Sequence, residues 1–160
     1  RARSPAHARA LTQARLRAHP DDADAHMLTA ELALDGDNPA LALHHTRLLL
    51  AADPELARAH HLRARARFAL VERAEGERAK AQLARAVDEL EAALEAGLDD
   101  PGLVEETLVL ALLRVGDEAA MDRAGRILED LLARRADPTT RKRRQDLADR
   151  VRGQTPSRQR

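Results

Sequence analysis

The segment from Pro20 to Pro54 reads PDDADAHMLTAELALDGDNPALALHHTRLLLAADP. Its two end prolines are 34 residues apart, and a similar helix start follows each of them: residues 23–26 read ADAH and residues 57–60 read ARAH. Apolar residues at helical spacing fill both halves of the segment, and a Gly-Asp-Asn-Pro turn at residues 36–39 divides them. A helix, a tight turn and a second helix therefore recur with a fixed period.

This pattern resembles the tetratricopeptide repeat, a helix hairpin that stacks on copies of itself. The matching residues are His26 and His60 at the usual tryptophan position, Ala30 and Ala64 at the small position, Ala42 early in the second helix, and the closing Pro54. The sequence departs from the family in having no Trp and no Tyr. The resemblance implies an all-α fold, an α-solenoid of about three tetratricopeptide-like antiparallel helix hairpins plus terminal helices.

Two later prolines place the remaining repeats. Pro101 follows Pro54 after 47 residues, so the second hairpin is enlarged, and Pro138 closes the third repeat 37 residues later. We predict an N-terminal helix within residues 1–19, tetratricopeptide-like repeats over residues 20–138, and a basic capping helix and tail over residues 139–160. Helices are expected at about residues 5–18 (with Ser4 as N-cap), 23–34, 40–52, 56–72, 78–96, 102–115, 118–135 and 139–152.

The apolar part of the chain is mostly Ala and Leu. Hydrophobic residues are 44% of the sequence but aromatic residues only 1%, and Phe68 is the sole ring besides histidine. Ala and Leu are strong helix formers, which agrees with an all-helical fold. The helix at residues 102–115 is apolar almost all round, so we expect it to be packed on several sides, with Leu110 and Leu113 in the core.

Charge is unevenly distributed although the net charge is zero. Residues 1–19 and 134–160 are basic, whereas residues 20–133 are acidic. The run Arg141-Lys142-Arg143-Arg144 forms a basic patch that could bind phosphate in nucleic acid or in an anionic lipid headgroup. No aromatic residue lies near it to stack on bases, and docking of this helix onto the acidic part of the chain is the preferred interpretation.

In the tetratricopeptide family, residues on the first helix of each hairpin line a ligand groove. Carried over by position, the resemblance implies a partner-binding groove lined by Asp24, Met27, Glu31, Leu34, Arg58, His61, Arg65, Phe68, Glu105, Leu108 and Leu112. Arg58, His61 and Arg65 share one helix face because they are spaced i, i+3, i+7. Two interpretations stay open: these cations pair with acidic groups on a partner, or they pair with Asp24 and Glu31 on a solvated face.

Other kinds of site are not favoured. The clamp residues by which some family members hold a carboxylate are replaced by Met27 and Glu31, so capture of a chaperone C-terminus in that way is not expected. His44 and His45 are adjacent and diverge by about 100° on a helix, so they cannot chelate one metal ion together. His26 and His60 recur with the repeat, which favours packing at equivalent positions. No metal and no cofactor is predicted.

The sequence also lacks a catalytic arrangement. Cysteine is absent, serine occurs only near the two ends, and there is no glycine-rich phosphate loop. We therefore expect a non-catalytic interaction or scaffold module that presents a helix-lined groove to a protein or peptide partner, as part of a larger assembly. The alternatives are a basic-tailed binder of nucleic acid or anionic membranes, and a regulatory domain excised from a larger polypeptide.

Compartment is not fixed by the sequence. The absence of cysteine excludes disulfides without naming a compartment, and no apolar run approaches the roughly 20 residues of a membrane span. Cytoplasmic is the default expectation. Secretion or a periplasmic location stays open, because the first residue is Arg rather than Met.

Overall fold

A computed structural model describes residues 5–98 and 100–154, and every described element is an α-helix. The chain divides into two compact units, residues 1–98 and 99–160, which are considered separately. Unit 1 contains α1 (Pro5–Ala18), α2 (Ala23–Asp35), α3 (Pro39–Ala52), α4 (Ala57–Val71) and α5 (Gly76–Glu95). Unit 2 contains α6 (Gly102–Val115), α7 (Glu118–Ala133) and α8 (Pro138–Gln154).

All of these helices were predicted from the sequence, with ends that agree to within two residues. The predicted N-cap Ser4 and the tail beyond residue 154 lie outside the described residues. The enlargement of the second hairpin is taken up mainly by its helices, since α4 and α5 have 15 and 20 residues against 13 and 14 in α2 and α3. No helix in the described part of the chain is long and apolar enough to cross a membrane.

Three of the helices begin with the same N-cap hydrogen bond, in which a side-chain oxygen accepts from a backbone amide of the first turn. Asp22 accepts a hydrogen bond from the Ala25 amide, Asn38 from the Leu41 amide, and Asp117 from the Ala120 amide, over 2.8 to 3.1 Å. Each side chain satisfies one of the amides that a helix start leaves without an intrahelical partner. Asp22, Asn38 and Asp117 therefore act as N-caps.

Buried alanines lie at the helix contacts of unit 1. Each helix packs against the next along the chain, and α2 also packs against α4. The cluster at their centre consists of Ala30, Ala33, Ala42, Leu62 and Ala66, and three of these alanines have no exposed surface. Because the distance between packed helices depends on the side chains at the contact, alanine allows the axes to approach closely.

Unit 2 has a core of larger residues. Here α6 packs against both α7 and α8, and α7 packs against α8. Val104, Leu108, Val109 and Leu131 are among the most completely buried side chains. Of the two α6 residues expected in the core, Leu113 is buried as expected, whereas Leu110 is only partly buried; Leu103 is 53% exposed. Two neighbouring helices cover part of the α6 surface and leave the rest open.

Leu108→Ala should therefore lower the free energy of unfolding by about 2–5 kcal/mol, because it removes buried methyl groups and leaves a cavity. Leu103→Ala is the matched control, since it makes the same chemical change at an exposed position of the same helix. It should change the free energy by less than about 0.5 kcal/mol. Urea denaturation followed by circular dichroism measures both. Equal losses would contradict the packing of α6.

Candidate functional site

The predicted groove residues of unit 1 lie on α2 and α4, and several of them are paired within the chain. Arg58 on α4 donates a hydrogen bond from Nε to Glu31 Oε1 on α2 over 3.0 Å, with a second bond from Nη2 to the same oxygen. Asp24 is largely exposed and lies 3.9 Å from Arg15 on α1. Met27 is half-buried and packs against the alanine cluster. At this end of the face the charges are largely balanced.

The other end of the face carries a cation that has no ion-pair partner in the described chain. Arg65 is exposed and forms no ion pair or side-chain hydrogen bond with residues 5–98 or 100–154. One turn earlier, His61 is half-buried, and its Nε2 atom has no hydrogen-bond partner in the described chain. Burial lowers the pKa of His61, and the charge of Arg65 lowers it further. A neutral imidazole therefore lies beside an unpaired cation, with the half-buried ring of Phe68 one turn further along α4.

Unit 2 does not present its predicted groove residues. Leu108 and Leu112 are 1% and 4% exposed, because α7 and α8 cover the side of α6 on which they lie. Their assignment to a ligand groove was wrong, and both belong to the core. Glu105, also predicted there, accepts hydrogen bonds from the guanidinium of Arg134 on α7.

The face that we call the α2–α4 face consists of the unit 1 residues: Asp24, Met27, Glu31, Arg58, His61, Arg65 and Phe68.

The predicted basic patch is mostly engaged in structure. Arg144 is buried, and it donates from Nε to Glu106 Oε1 over 2.9 Å and from Nη1 to the Leu131 carbonyl over 2.8 Å. Arg143 donates to the other oxygen of Glu106. Burial alone would raise the pKa of Glu106, but the hydrogen bonds from both arginines hold it below the usual value. Arg144 is therefore not a surface cation. Arg143 and Arg144 both form ion pairs with the buried carboxylate of Glu106.

Of the four basic residues, the remaining two are exposed. Arg141 donates from Nη2 to the Ala136 carbonyl over 3.3 Å, at the start of its own helix. Lys142 is exposed. Of the four cations in the predicted patch, only Arg144 is buried; Arg143 is exposed but pairs with Glu106, and Arg141 and Lys142 are exposed.

His26 and His60 make the same contact in successive repeats. Nε2 of His26 lies 2.8 Å from the Pro20 carbonyl, and Nε2 of His60 lies 2.8 Å from the Pro54 carbonyl. Since a carbonyl only accepts, each Nε2 carries a proton and donates. The two histidines tie the start of a helix to the preceding proline turn, which explains why they recur with the repeat.

The second ring nitrogen has a different partner in each repeat. His26 Nδ1 lies 2.7 Å from His45 Nδ1 on α3, and both rings are buried. Burial, followed by the charges of His26 and His44, lowers the pKa of His45 to about 4. A neutral His45 carries one ring proton, and with this proton on Nδ1 it donates a hydrogen bond to His26. In the next repeat, His60 Nδ1 instead lies 2.7 Å from Glu89 Oε2 on α5.

Glu89 is the centre of a buried charge cluster that the sequence analysis missed. Its other oxygen lies 2.7 Å from Arg63 Nε and 3.8 Å from Arg67 Nε. The three partners precede Glu89 by 22 to 29 residues. The only sequence signal is the i, i+4 spacing of Arg63 and Arg67, which places both on one helix face. Among the described residues, no group of three or more His, Asp or Glu side chains is placed to hold a metal ion.

Comparison with known proteins supports the fold assignment. No family model and no curated protein matches the chain. A crystal structure of a thermophilic tetratricopeptide repeat protein from Thermus thermophilus superimposes with a TM-score of 0.76. The match covers 94% of this chain and 79% of the other, at 24% sequence identity. The predicted all-α fold of the tetratricopeptide type is confirmed.

The neutral state of His45 should make stability depend on pH. The pKa of His45 is about 4 in the folded chain, against an ordinary value of 6.5 that applies to the unfolded chain. Between these two pH values the unfolded chain therefore binds more protons than the folded chain. The free energy of unfolding should fall as pH falls from 6.5 to about 4, by up to about 3 kcal/mol. Urea denaturation across this pH range measures the slope.

Two variants test whether His45 causes this dependence of stability on pH. His45→Gln keeps a donor for His26 but cannot titrate, so its slope should be clearly smaller. His61 contributes in the same direction, because its pKa is also lowered, and a residual slope is therefore expected. His44→Gln, a change at an exposed neighbour, should reduce the slope only slightly, because His44 makes the smallest of the three contributions to the lowered pKa of His45. An unchanged slope in His45→Gln would show that the buried histidine pair does not control it.

Proposed function

We propose that the chain is a non-catalytic interaction module whose α2–α4 face binds a peptide or helix of a partner protein. The tetratricopeptide-type fold supports this, because protein binding is the typical role of that fold. Within this scheme, residues 20–138 form the repeats, and the helices within residues 1–19 and 139–160 cap them. A solenoid needs such caps with polar outer surfaces, and α8 has a low mean hydropathy.

The observation that carries the proposal is the unpaired cation Arg65 beside His61. The other three arginines of α4 each have an acidic partner, whereas Arg65 is exposed without an ion pair in the described chain. A carboxylate on the partner would complete its hydrogen bonding in a bidentate geometry. It would also lie close to the buried His61 Nε2, which has no hydrogen-bond partner among the described residues.

Neighbouring residues can support such a contact. Arg58 and Glu31 form an ion pair with the arginine side chain 62% exposed. Exposed pairs contribute only about 0–1 kcal/mol, so this one can rearrange when a partner carboxylate arrives. Phe68 and Met27 add apolar surface, and aromatic and arginine side chains are frequent anchors of interfaces. The face therefore favours a partner segment that combines acidic and apolar residues.

The test is affinity capture from a native lysate, analysed by mass spectrometry. The double variant Arg58→Glu with Arg65→Glu should lose the partner that the unmodified chain captures, because the face becomes acidic and repels the partner carboxylates. The single variant Arg65→Glu breaks no ion pair and should weaken capture as well. Circular dichroism should show unchanged helical content in both.

The matched control changes two exposed cations elsewhere. Arg141→Glu with Lys142→Glu has the same change in charge and should leave capture intact. Arg143 and Arg144 are excluded from the control, because they hold Glu106. If capture is lost only in the control variant, the C-terminal cations carry the interaction and the α2–α4 face does not.

A further inference from the structure

A basic pocket lies between α3 and α4, on residues that the α2–α4 face does not use. It has a volume of about 340 Å³ and is lined by Ala40, Leu43, His44, Arg47, Arg63 and Arg67. The α3 residues are spaced i, i+3, i+4, i+7 and so form one stripe on that helix. Its size falls within the range of about 300–1,000 Å³ that is usual for small-ligand pockets.

Two of the pocket arginines, Arg63 and Arg67, are held in place by residues of α5. The Glu89 carboxylate lies 2.7 Å from Arg63 Nε and 3.8 Å from Arg67 Nε, and Arg67 donates from Nη1 to Gln82 Oε1 over 3.2 Å. Their side chains are 23% and 18% exposed. The Arg63–Glu89 pair is close but not aligned as a hydrogen bond, so both Nε atoms are buried without a hydrogen-bond acceptor in the described chain. Cations that are fixed in this way form a preorganised anion site.

The charges around the pocket do not balance. Arg47, Arg63 and Arg67 contribute three positive charges, and Glu89 contributes one negative charge. Arg85 and Asp88, which also act on Arg67, cancel each other. Two positive charges remain even with His44 and His60 counted as neutral. Burial lowers the pKa of Arg67, the charge of Glu89 opposes this, and the charges of Arg63 and Arg85 lower the pKa further.

We propose that this pocket binds a phosphate group. A phosphate dianion would balance the two remaining charges, whereas a single carboxylate would balance one. Phosphate oxygens also match the fork geometry of guanidinium donors, and Arg is the usual residue for such recognition. His44 adds a further ring nitrogen at the pocket wall. The phosphate comes either from a free phosphate ester or from a phosphorylated side chain of a protein.

This site is separate from the proposed partner-binding face. On α4, Arg67 follows Arg65 by two residues, and successive residues are about 100° apart on a helix. Arg63 and Arg67 therefore point away from the side that carries Arg58, His61 and Arg65. The phosphate site does not rest on the proposed function, and either can fail without the other.

The experiment is titration of the intact chain with inorganic phosphate by isothermal calorimetry, with ionic strength held constant by chloride. Binding should be saturable and should also raise the melting temperature, because a ligand that binds only the folded state stabilises it. Arg47→Gln removes one exposed pocket cation that forms no ion pair or side-chain hydrogen bond with the described residues. It should weaken phosphate binding by at least about tenfold, as expected for one charged hydrogen bond.

Arg17→Gln is the matched control, since it removes one exposed cation from α1 and should leave phosphate binding unchanged. Melting in chloride alone checks that both variants are folded. The proposal is overturned if phosphate does not bind, if Arg47→Gln binds it as tightly as the unmodified chain, or if malonate binds as tightly as phosphate.

A second probe distinguishes the two sources of the phosphate. It is a blocked tripeptide with phosphoserine between two glycines. Binding at least tenfold tighter than inorganic phosphate would assign the pocket to a phosphorylated protein, and equal or weaker binding would assign it to a free phosphate ester.

Discussion

The absence of large aromatic side chains is the constraint on which the structure depends. Tetratricopeptide-like hairpins normally have rings to fill the space between helices, and this chain has a single Phe. Alanines such as Ala30, Ala42, Ala59 and Ala66 are completely buried at the contacts of unit 1 instead. Small side chains let the helix backbones approach, so packing is achieved by close distance rather than by large residues.

This mode of packing explains why polar groups lie inside. With no Trp available, His26 and His60 fill the equivalent positions, and polar groups inside a protein are generally hydrogen-bonded. They find these in the proline carbonyls and in His45 or Glu89. The polar contacts join each turn to the helix that follows. The periodicity of the sequence thus reflects a hydrogen-bonded tie as much as an apolar pattern.

Internal pairing also determines which charges remain for function. Glu106 takes Arg143 and Arg144, Glu105 takes Arg134, and Glu31 takes Arg58. Arg47 and Arg65 have no such partner in the described chain, and they lie on different faces of unit 1. Both functional proposals rest on these differences. A count of charges along the sequence could not distinguish paired from unpaired arginines.

The helices could be predicted from the sequence because their signals are local. Prolines, Asp-Gly turns and capping residues mark the ends, and the 34-residue period marks the repeat. Side-chain partners could not be predicted in the same way. Arg144 and Glu106 are 38 residues apart, and His60 and Glu89 are 29 apart, so only the fold brings them together. Leu108 and Leu112 failed as groove residues because burial depends on which neighbouring helices cover a face.

Replacement of Ala42 by Leu tests the alanine packing most directly. Ala42 is completely buried between α2 and α4, and a larger side chain there should force the helices apart. Urea denaturation should show a loss of about 1–3 kcal/mol for Ala42→Leu. Ala51→Leu, an exposed position of the same helix, should change stability by less than about 0.5 kcal/mol. Equal or increased stability of Ala42→Leu would contradict the account, because it would show that the contact has room for a larger residue.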